Sequence, residues 1–335
     1  MKASVFTKYG SPDFFKLKEV KKPTPKDDEV LVKIFAASIN SWDWEILMGT
    51  PFVNRLMVGL LKPTKIQILG CDIAGRIEAV GKNVKRLQSG DEVFGDLSRC
   101  GWGGFAEYVC VPENALMLKP ANMTFEQAAA VPQAALLALQ GLRQGQIQPG
   151  QLQPGQLQSA QKVLINGASG GVGSFAVPMA KLFGAEVTGV CSTKKMEFVR
   201  SLGADHVIDY TQEDFTKNGQ CYDLILDVQA HHSIFDYKRA LNPGGIYVMV
   251  GGSSALVNQL LFLGPWSSMI WNKKMGLLLH KANKGLDFMK ELLEAGKVVP
   301  AIDKYYQLSE VAEALRYFGE GHAKGKVVIT VEHNN

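Results

Sequence analysis

The sequence predicts an α/β protein built from a strand-rich, barrel-like domain and a parallel sheet wound on both faces. Three observations carry that expectation. Short segments of alternating apolar and polar residues fill the first 125 positions, separated by glycine-containing turns. From residue 162 to 250, strand and helix patterns alternate across short connections, the signature of a doubly wound sheet. Directly after an apolar strand stands Gly167-Ala168-Ser169-Gly170-Gly171-Val172-Gly173, and a helical pattern begins at once.

In chain order, residues 30–36 alternate as a half-buried strand, and 73–80, 91–95 and 106–111 follow as short strands. Residues 126–130 and 134–142 are rich in Ala and Leu, strong helix formers, so the first domain boundary is expected at 125/126. Residues 148–161 repeat a Gln-Pro-Gly-Gln-Leu unit whose Pro-Gly pairs favour turns; five residues are too few for a solenoid, so this is an elongated surface loop. Next come strands at 162–166, 186–191, 206–210, 222–228 and 246–250, interleaved with helices at 172–183, 194–202 and 233–241, the last closed by Asn242-Pro243-Gly244-Gly245. Residues 240–272 carry no charge, but prolines and glycines interrupt them, which suits a core strand and a buried or interface segment better than a membrane span. Helices at 286–295 and 309–318, the second capped by Ser309, and a strand at 326–331 complete the chain.

Composition narrows the function. With 36 basic and 32 acidic residues the net charge is +4, and no Lys/Arg block occurs, which argues against a nucleic-acid partner. A hydrophobic fraction of 46% with 20% charged residues is that of a folded globular chain. Five cysteines, none in a Cys-x-x-Cys pair, disfavour a disulfide framework and a four-cysteine zinc site. The first residues lack the apolar core of a signal peptide, so a cytoplasmic location is expected.

The chemistry is written in the turn after residue 166. Ala168-x-Gly170-x-x-Gly173 fits a dinucleotide fingerprint with alanine in the first glycine position. Gly170 and Gly171 let a pyrophosphate approach bare backbone, the amides of Gly171 and Val172 face it from the helix start, and Gly173 allows the helix to pack closely on the strand. At the end of the next strand, where an acid would bind both ribose hydroxyls of NAD, the sequence reads Ser192-Thr193-Lys194-Lys195. A hydroxyl and ammonium groups suit a 2′-phosphate, so NADP(H) is preferred over NAD(H).

These motifs, with Leu202-Gly203-Ala204-Asp205, Gly70-Cys71-Asp72-Ile73-Ala74-Gly75 and Gly103-Gly104-Phe105-Ala106-Glu107-Tyr108, resemble the medium-chain dehydrogenase/reductase superfamily. Within it the chain looks like the zinc-independent quinone oxidoreductase, or zeta-crystallin-like, branch. The resemblance implies a GroES-like substrate domain from residues 1–125 and 281–335 and a Rossmann cofactor domain from 126–280. It places Lys195 and Tyr210 at the adenosine phosphate end and Val250 and Gly251 beside the nicotinamide. It implicates the Asn40-x-x-Asp43 turn in catalysis, with Asn40 near the nicotinamide and Asp43 ordering the pocket. It also implies a homodimer paired through residues 274–280. Zinc-dependent members have a cysteine where this chain has Asn40 and a histidine where it has Cys71, so no zinc is expected.

The reaction so implied is hydride transfer from NADPH to a quinone or an α,β-unsaturated carbonyl; the sequence names no proton donor, which leaves water as one source. Two other readings stay open: a zinc-type alcohol dehydrogenase, and a weakly catalytic cofactor-binding protein that touches a membrane peripherally. Cys71 and Cys100 read as small buried hydrophobes. His231-His232 has no metal partner in view. Trp42 and Trp44 suit either core packing or an aromatic pocket.

Overall fold

The computed structural model describes residues 1–149 and 160–333, so most of the Gln-Pro-Gly repeat lies outside the described residues. In chain order the elements are β1 (Lys2–Phe6), β2 (Phe15–Glu19), β3 (Glu29–Ser38), α1 (Ser41–Met48), α2 (Val53–Val58), β4 (Asp72–Val80), β5 (Glu92–Asp96), β6 (Tyr108–Pro112) and β7 (Met117–Leu118). Helices α3 (Phe125–Ala129) and α4 (Pro132–Gln144) precede β8 (Lys162–Asn166), α5 (Gly171–Leu182), β9 (Glu186–Cys191), α6 (Met196–Ser201), β10 (His206–Asp209) and β11 (Tyr222–Asp227). Then follow α7 (Ile234–Arg239), β12 (Leu241–Met249), α8 (Ser254–Trp271), β13 (Lys274–Leu277), α9 (Leu286–Glu294), β14 (Ile302–Gln307), α10 (Val311–Gly319) and β15 (Lys326–Thr330).

Two compact units emerge. One comprises Met1–Leu136, Lys281–Gly296 and Ile302–Asn335; the other comprises Leu137–His280 and Lys297–Ala301. The boundary thus falls inside α4 and not at 125/126, because α3 packs on β3, β4, β5 and β15. Alanine richness marks the helices, but it does not say which sheet they cover.

In the first unit a seven-stranded sheet runs β14-β15-β3-β4-β5-β7, with β6 also paired to β3. Its register brings Val328, Ser38, Asp72 and Asp96 into one row across four strands. Apolar residues of this sheet and of α1 and α10, among them Ile34, Ile46, Leu47 and Leu315, form one core. Both tryptophans join it: Trp42 meets the Trp102 ring edge-on at 5.3 Å, and Trp44 lies over Gly319 at the end of α10. A Cβ on Gly319 would stand 2.2 Å from the Trp44 ring. Gly319→Ala should therefore destabilise the unit by about 1–3 kcal/mol, read as a lower urea midpoint, since overpacking outweighs any gain in helix propensity.

In the second unit the six strands are parallel and ordered β10-β9-β8-β11-β12-β13. Numbered from β8 this is 3-2-1-4-5-6, the order of a dinucleotide-binding sheet, with its reversal between β8 and β11. Residues 242–245 belong to β12 as an irregularity in its pairing with β11, where the sequence suggests a loop.

Two expectations need correction. Residues 254–271 form the helix α8 despite Pro265, and of the two alternatives, a buried or an interface segment, the buried one does not hold: Leu261, Phe262, Trp266, Met269 and Ile270 are exposed. Its low charge reflects an apolar outer face, which periodicity broken by glycine and proline conceals. The cap ahead of α10 is not Ser309; a short 3-10 turn at Leu308–Glu310 precedes the helix, and Gln307 N–H donates to Glu310 at 2.7 Å. Among the described residues no helix is long and apolar enough to cross a membrane.

Candidate functional site

Each unit carries one part of the predicted chemistry. In the second unit, Asn166 ends β8 and Gly167 turns the chain with φ +82°, a conformation that glycine adopts without strain. The N–H groups of Gly167 and Ala168 both donate to Val190 O on β9, at 3.2 and 3.1 Å, which pins the turn to the sheet. Gly170 caps α5 in extended conformation, so the first-turn amides, those of Gly171 and Val172 included, lack acceptors within the helix. Gly170 and Gly173 serve opposite needs. A Cβ on Gly173 would meet Gly167 O at 2.3 Å, whereas one on Gly170 would meet only Gly167 O at an ordinary 3.5 Å. The room beside Gly170 is thus unused by the protein's own packing, as a cradle for a pyrophosphate requires.

The strand ends around this turn are tied by one buried carboxylate. Asp227, at the end of β11, accepts from Asn166 Nδ2 at 2.8 Å, Gln229 N at 3.2 Å and the Tyr247 hydroxyl at 2.9 Å. Its carbonyl accepts from Val250 N at 2.7 Å. Burial pushes the Asp227 pKa up, opposed by the hydroxyl and amide donors around it. This network fixes Val250 and Gly251 relative to the turn, and sequence reading misses it because Asp227 resembles any strand-terminal acid.

At the ends of β9 and β10, Ser192, Lys195 and Tyr210 form one corner: Lys195 N donates to Ser192 O, and Tyr210 N to Cys191 O. Tyr210 is exposed. The register also pairs Asp209 with Cys191, so an acid stands at this corner after all, on the neighbouring strand. Its carboxylate accepts from the Thr193 hydroxyl and from Thr211 N and Oγ1, at 3.0 and 2.7 Å, and these bonds lower its pKa.

In the first unit the sheet row of Ser38, Asp72 and Asp96 meets the start of α1 in a buried polar cluster. Asn40 and Asp43 are brought together, but both are turned inward. Asn40 precedes α1, yet its side chain makes no capping bond; Nδ2 donates to Asp72 Oδ2 at 2.9 Å and Cys71 Sγ at 3.3 Å. Asp43 is fully buried, and its two oxygens accept from the backbone N–H groups of Asn40 and Gly70, each at 2.9 Å. Gln133 closes the cluster, donating from its backbone N to Asp72 at 3.0 Å and from Nε2 to Cys71 Sγ at 3.4 Å.

The residue that sequence reading misses entirely is Lys326, the first of β15 and only 2% exposed. Its Nζ donates to Ile39 O at 3.0 Å and Asn40 Oδ1 at 2.5 Å, and stands 3.6 Å from Asp72 Oδ2. Strand alternation does not mark it, because Lys326–Ile329 are all buried.

Burial dominates the electrostatics here. It raises the Asp43 carboxyl to about 7 against the pull of two backbone donors and Lys326. It raises Asp72 as well, opposed by the Lys326 ammonium. The Cys71 thiol is pushed well above its usual range by burial and then by the carboxylates of Asp43, Asp72 and Asp96, so it stays neutral. Glu45, further along α1, is raised to about 7 by burial. Cys100 is half-buried, and burial, with the Asp96 carboxylate, raises its pKa. The His231 and His232 ring centroids lie 4.1 Å apart with their planes tilted by 37°; His231 Nδ1 lies 2.9 Å from Gln229 O and His232 faces Asp214 at 3.7 Å. Neither belongs to a metal-ligand group among the described residues.

Residues 26–121 match the family described as "Alcohol dehydrogenase GroES-like domain", and residues 202–329 match "Zinc-binding dehydrogenase". A chloroplast envelope quinone oxidoreductase homolog of Arabidopsis thaliana is 33% identical over 93% of this chain and 92% of its own length. An NADPH-dependent alkenal/one oxidoreductase of the same plant is 33% identical over 98% of this chain and 79% of its own. The structure of the quinone oxidoreductase from Coxiella burnetii superposes with a TM-score of 0.85 at 29% identity, covering 99% of each chain.

Proposed function

The chain belongs to the medium-chain dehydrogenase/reductase superfamily and is an oxidoreductase of the quinone and enone reductase kind; on that premise we propose that it prefers NADPH to NADH and works without zinc. The observation that carries the cofactor assignment is the turn at the sheet reversal, where Gly173 is filled by the fold and Gly170 is left open. When bound, NADPH supplies a hydride from nicotinamide C4 to an electron-poor carbon of a quinone or an α,β-unsaturated carbonyl. The amides of Gly171 and Val172 would hold the pyrophosphate, and Ser192, Lys195 and Tyr210 the adenosine end with its 2′-phosphate. Val250 and Gly251, set by Asp227, would bound the nicotinamide end. Asn40 and Asp43 act as positioning residues, since their polar atoms are committed to the protein, and water supplies the proton that completes the reduction.

Lys195 tests the preference. Lys195→Glu should weaken NADPH about 100-fold or more while changing NADH less than about tenfold, because a carboxylate repels the 2′-phosphate but not a ribose hydroxyl. Titration of both cofactors by fluorescence reads this, and a parallel loss for both would refute the assignment. Turnover of a panel of enones and quinones, run with each cofactor, tests the activity.

Zinc, which the description of one matching family implies, does not fit the residues present. Cys71 Sγ, Asp72 and Asp96 form a group whose ligand atoms lie within 4.8 Å of one another. Yet the sulfur faces two amide N–H groups, and an ammonium already stands 3.6 Å from Asp72. Zinc needs deprotonated thiolate and open lone pairs.

The reading extends to a homodimer and to the cytoplasm. Supporting the first, β13 is an edge strand of the six-stranded sheet, and edges favour pairing. Supporting the second, the five cysteines are all free, as in a reducing compartment. Solution mass measurement tests the dimer.

A further inference from the structure

We propose that the Lys326 ammonium is a built-in substitute for a metal ion: it balances the buried carboxylate of Asp72 and holds Asn40 in the one orientation that the reaction uses. The inference rests on the zinc-free reading and goes beyond it, by naming the group that stands in the metal's place and making it a positioning residue.

A lysine is rarely buried to 2% exposure, because desolvating its ammonium is costly unless every N–H finds a partner. Here the ammonium donates to Ile39 O and Asn40 Oδ1, and Asp72 Oδ2, at 3.6 Å, pairs with it as an opposite charge without a hydrogen bond. The arrangement is delivered over a separation of 286 residues by pairing of β15 with β3, which sets Val328 opposite Ser38, itself opposite Asp72. The consequences run through Asn40. With its oxygen turned to an ammonium, its amide nitrogen must face Asp72 and Cys71, so the ammonium settles which way the amide points. The donors toward Cys71 and Asp72 then occupy the lone pairs that a metal would take. Asn40 and Cys71 are the two positions where zinc-dependent members of the superfamily carry ligands, so the cation and its ligands have been exchanged together.

The test uses the full chain, with Lys326→Met and the double variant Lys326→Met/Asp72→Asn. Lys326→Met should lower the thermal midpoint by roughly 10 °C, as loss of one partner of a buried pair does in a protein of this size. The double variant should regain most of that shift, because no unpaired carboxylate remains. In Lys326→Met, kcat for enone reduction should fall about 10- to 100-fold while the NADPH dissociation constant stays within twofold, a split that general loosening of the fold would not give. Titrated with Co²⁺, Lys326→Met should develop a thiolate-to-cobalt absorption band that the wild-type chain lacks.

Each other outcome decides against a stated idea. A double variant no more stable than the single one overturns the charge-balancing role, whether or not either folds well. An unchanged kcat, or a cobalt titration as silent in Lys326→Met as in the wild type, overturns the substitution for metal. Stoichiometric zinc or cobalt on the wild-type chain instead overturns the zinc-free reading on which the proposal rests, and is read separately.

Discussion

Gly173→Val is expected to abolish NADPH binding, with at least a 100-fold loss of affinity, and to lower stability by roughly 3 kcal/mol. The added Cβ would sit 2.3 Å from Gly167 O and 2.5 and 2.6 Å from Ala168 Cα and C. All three are backbone atoms, so no side chain can swing away. The turn cannot retreat either, since the N–H groups of Gly167 and Ala168 are held by Val190 O on the adjacent strand. Helix α5 must therefore move off β8, and its first-turn amides leave the place where a pyrophosphate would meet them.

Gly170→Ala supplies the contrast that separates fold from ligand. Its Cβ meets only Gly167 O at 3.5 Å, and its φ of −85° suits alanine. The thermal midpoint should stay within about 2 °C of the wild type, yet NADPH should bind roughly tenfold or more weakly, because the methyl occupies the space left for the phosphate. Midpoints by thermal unfolding and affinities by fluorescence titration check both variants. Equal NADPH affinity in Gly170→Ala and the wild type would remove the pyrophosphate from this turn.

The candidate regions of the two units differ in how legible they are from sequence, and the reason is physical. A pyrophosphate turn is local: strand, tight turn and helix start occupy Lys162–Asn166 and the residues immediately after, so glycine spacing reports directly on backbone geometry. The polar cluster of the first unit is not local. It gathers Cys71, Asp72 and Lys326 of the sheet and its edges with Asn40 and Gln133 at the starts of α1 and α4, and no spacing in the chain announces that Lys326 will lie beside Asn40. Asp209 was hidden in the same way. Reading β9 to its end finds no acid, and only the pairing of Asp209 with Cys191 brings one to that corner. The helix α8 escaped for another reason, since Gly264 and Pro265 break the periodicity without breaking the helix.

The second large effect is expected at Asp43, where burial sets a pH dependence of opposite sign to that of ordinary surface carboxylates. Its two oxygens each accept a backbone N–H, from Asn40 and from Gly70, so Asp43→Ala leaves two buried donors without partners. At about 1–3 kcal/mol for each, the loss reaches roughly 2–6 kcal/mol. Asp43→Asn should lose about half as much, since an amide offers one oxygen and sets its nitrogen against the other donor. The pH signature identifies the group. Asp43 is raised from 3.8 in the unfolded chain to about 7 in the fold. Between these values the folded chain holds a proton that the unfolded chain has released, so the stability tied to this proton is full below about pH 4 and is lost as pH rises through about 7. A shift of about three units corresponds to roughly 4 kcal/mol for a fully buried group. Glu45 is raised too and adds to the same slope, so the variants should flatten it without removing it. Urea unfolding at several pH values from 4 to 8 measures the slope. A slope in Asp43→Asn as steep as in the wild type would show that Asp43 is already ionised through this range, and that its two backbone donors, with Lys326 nearby, outweigh its burial.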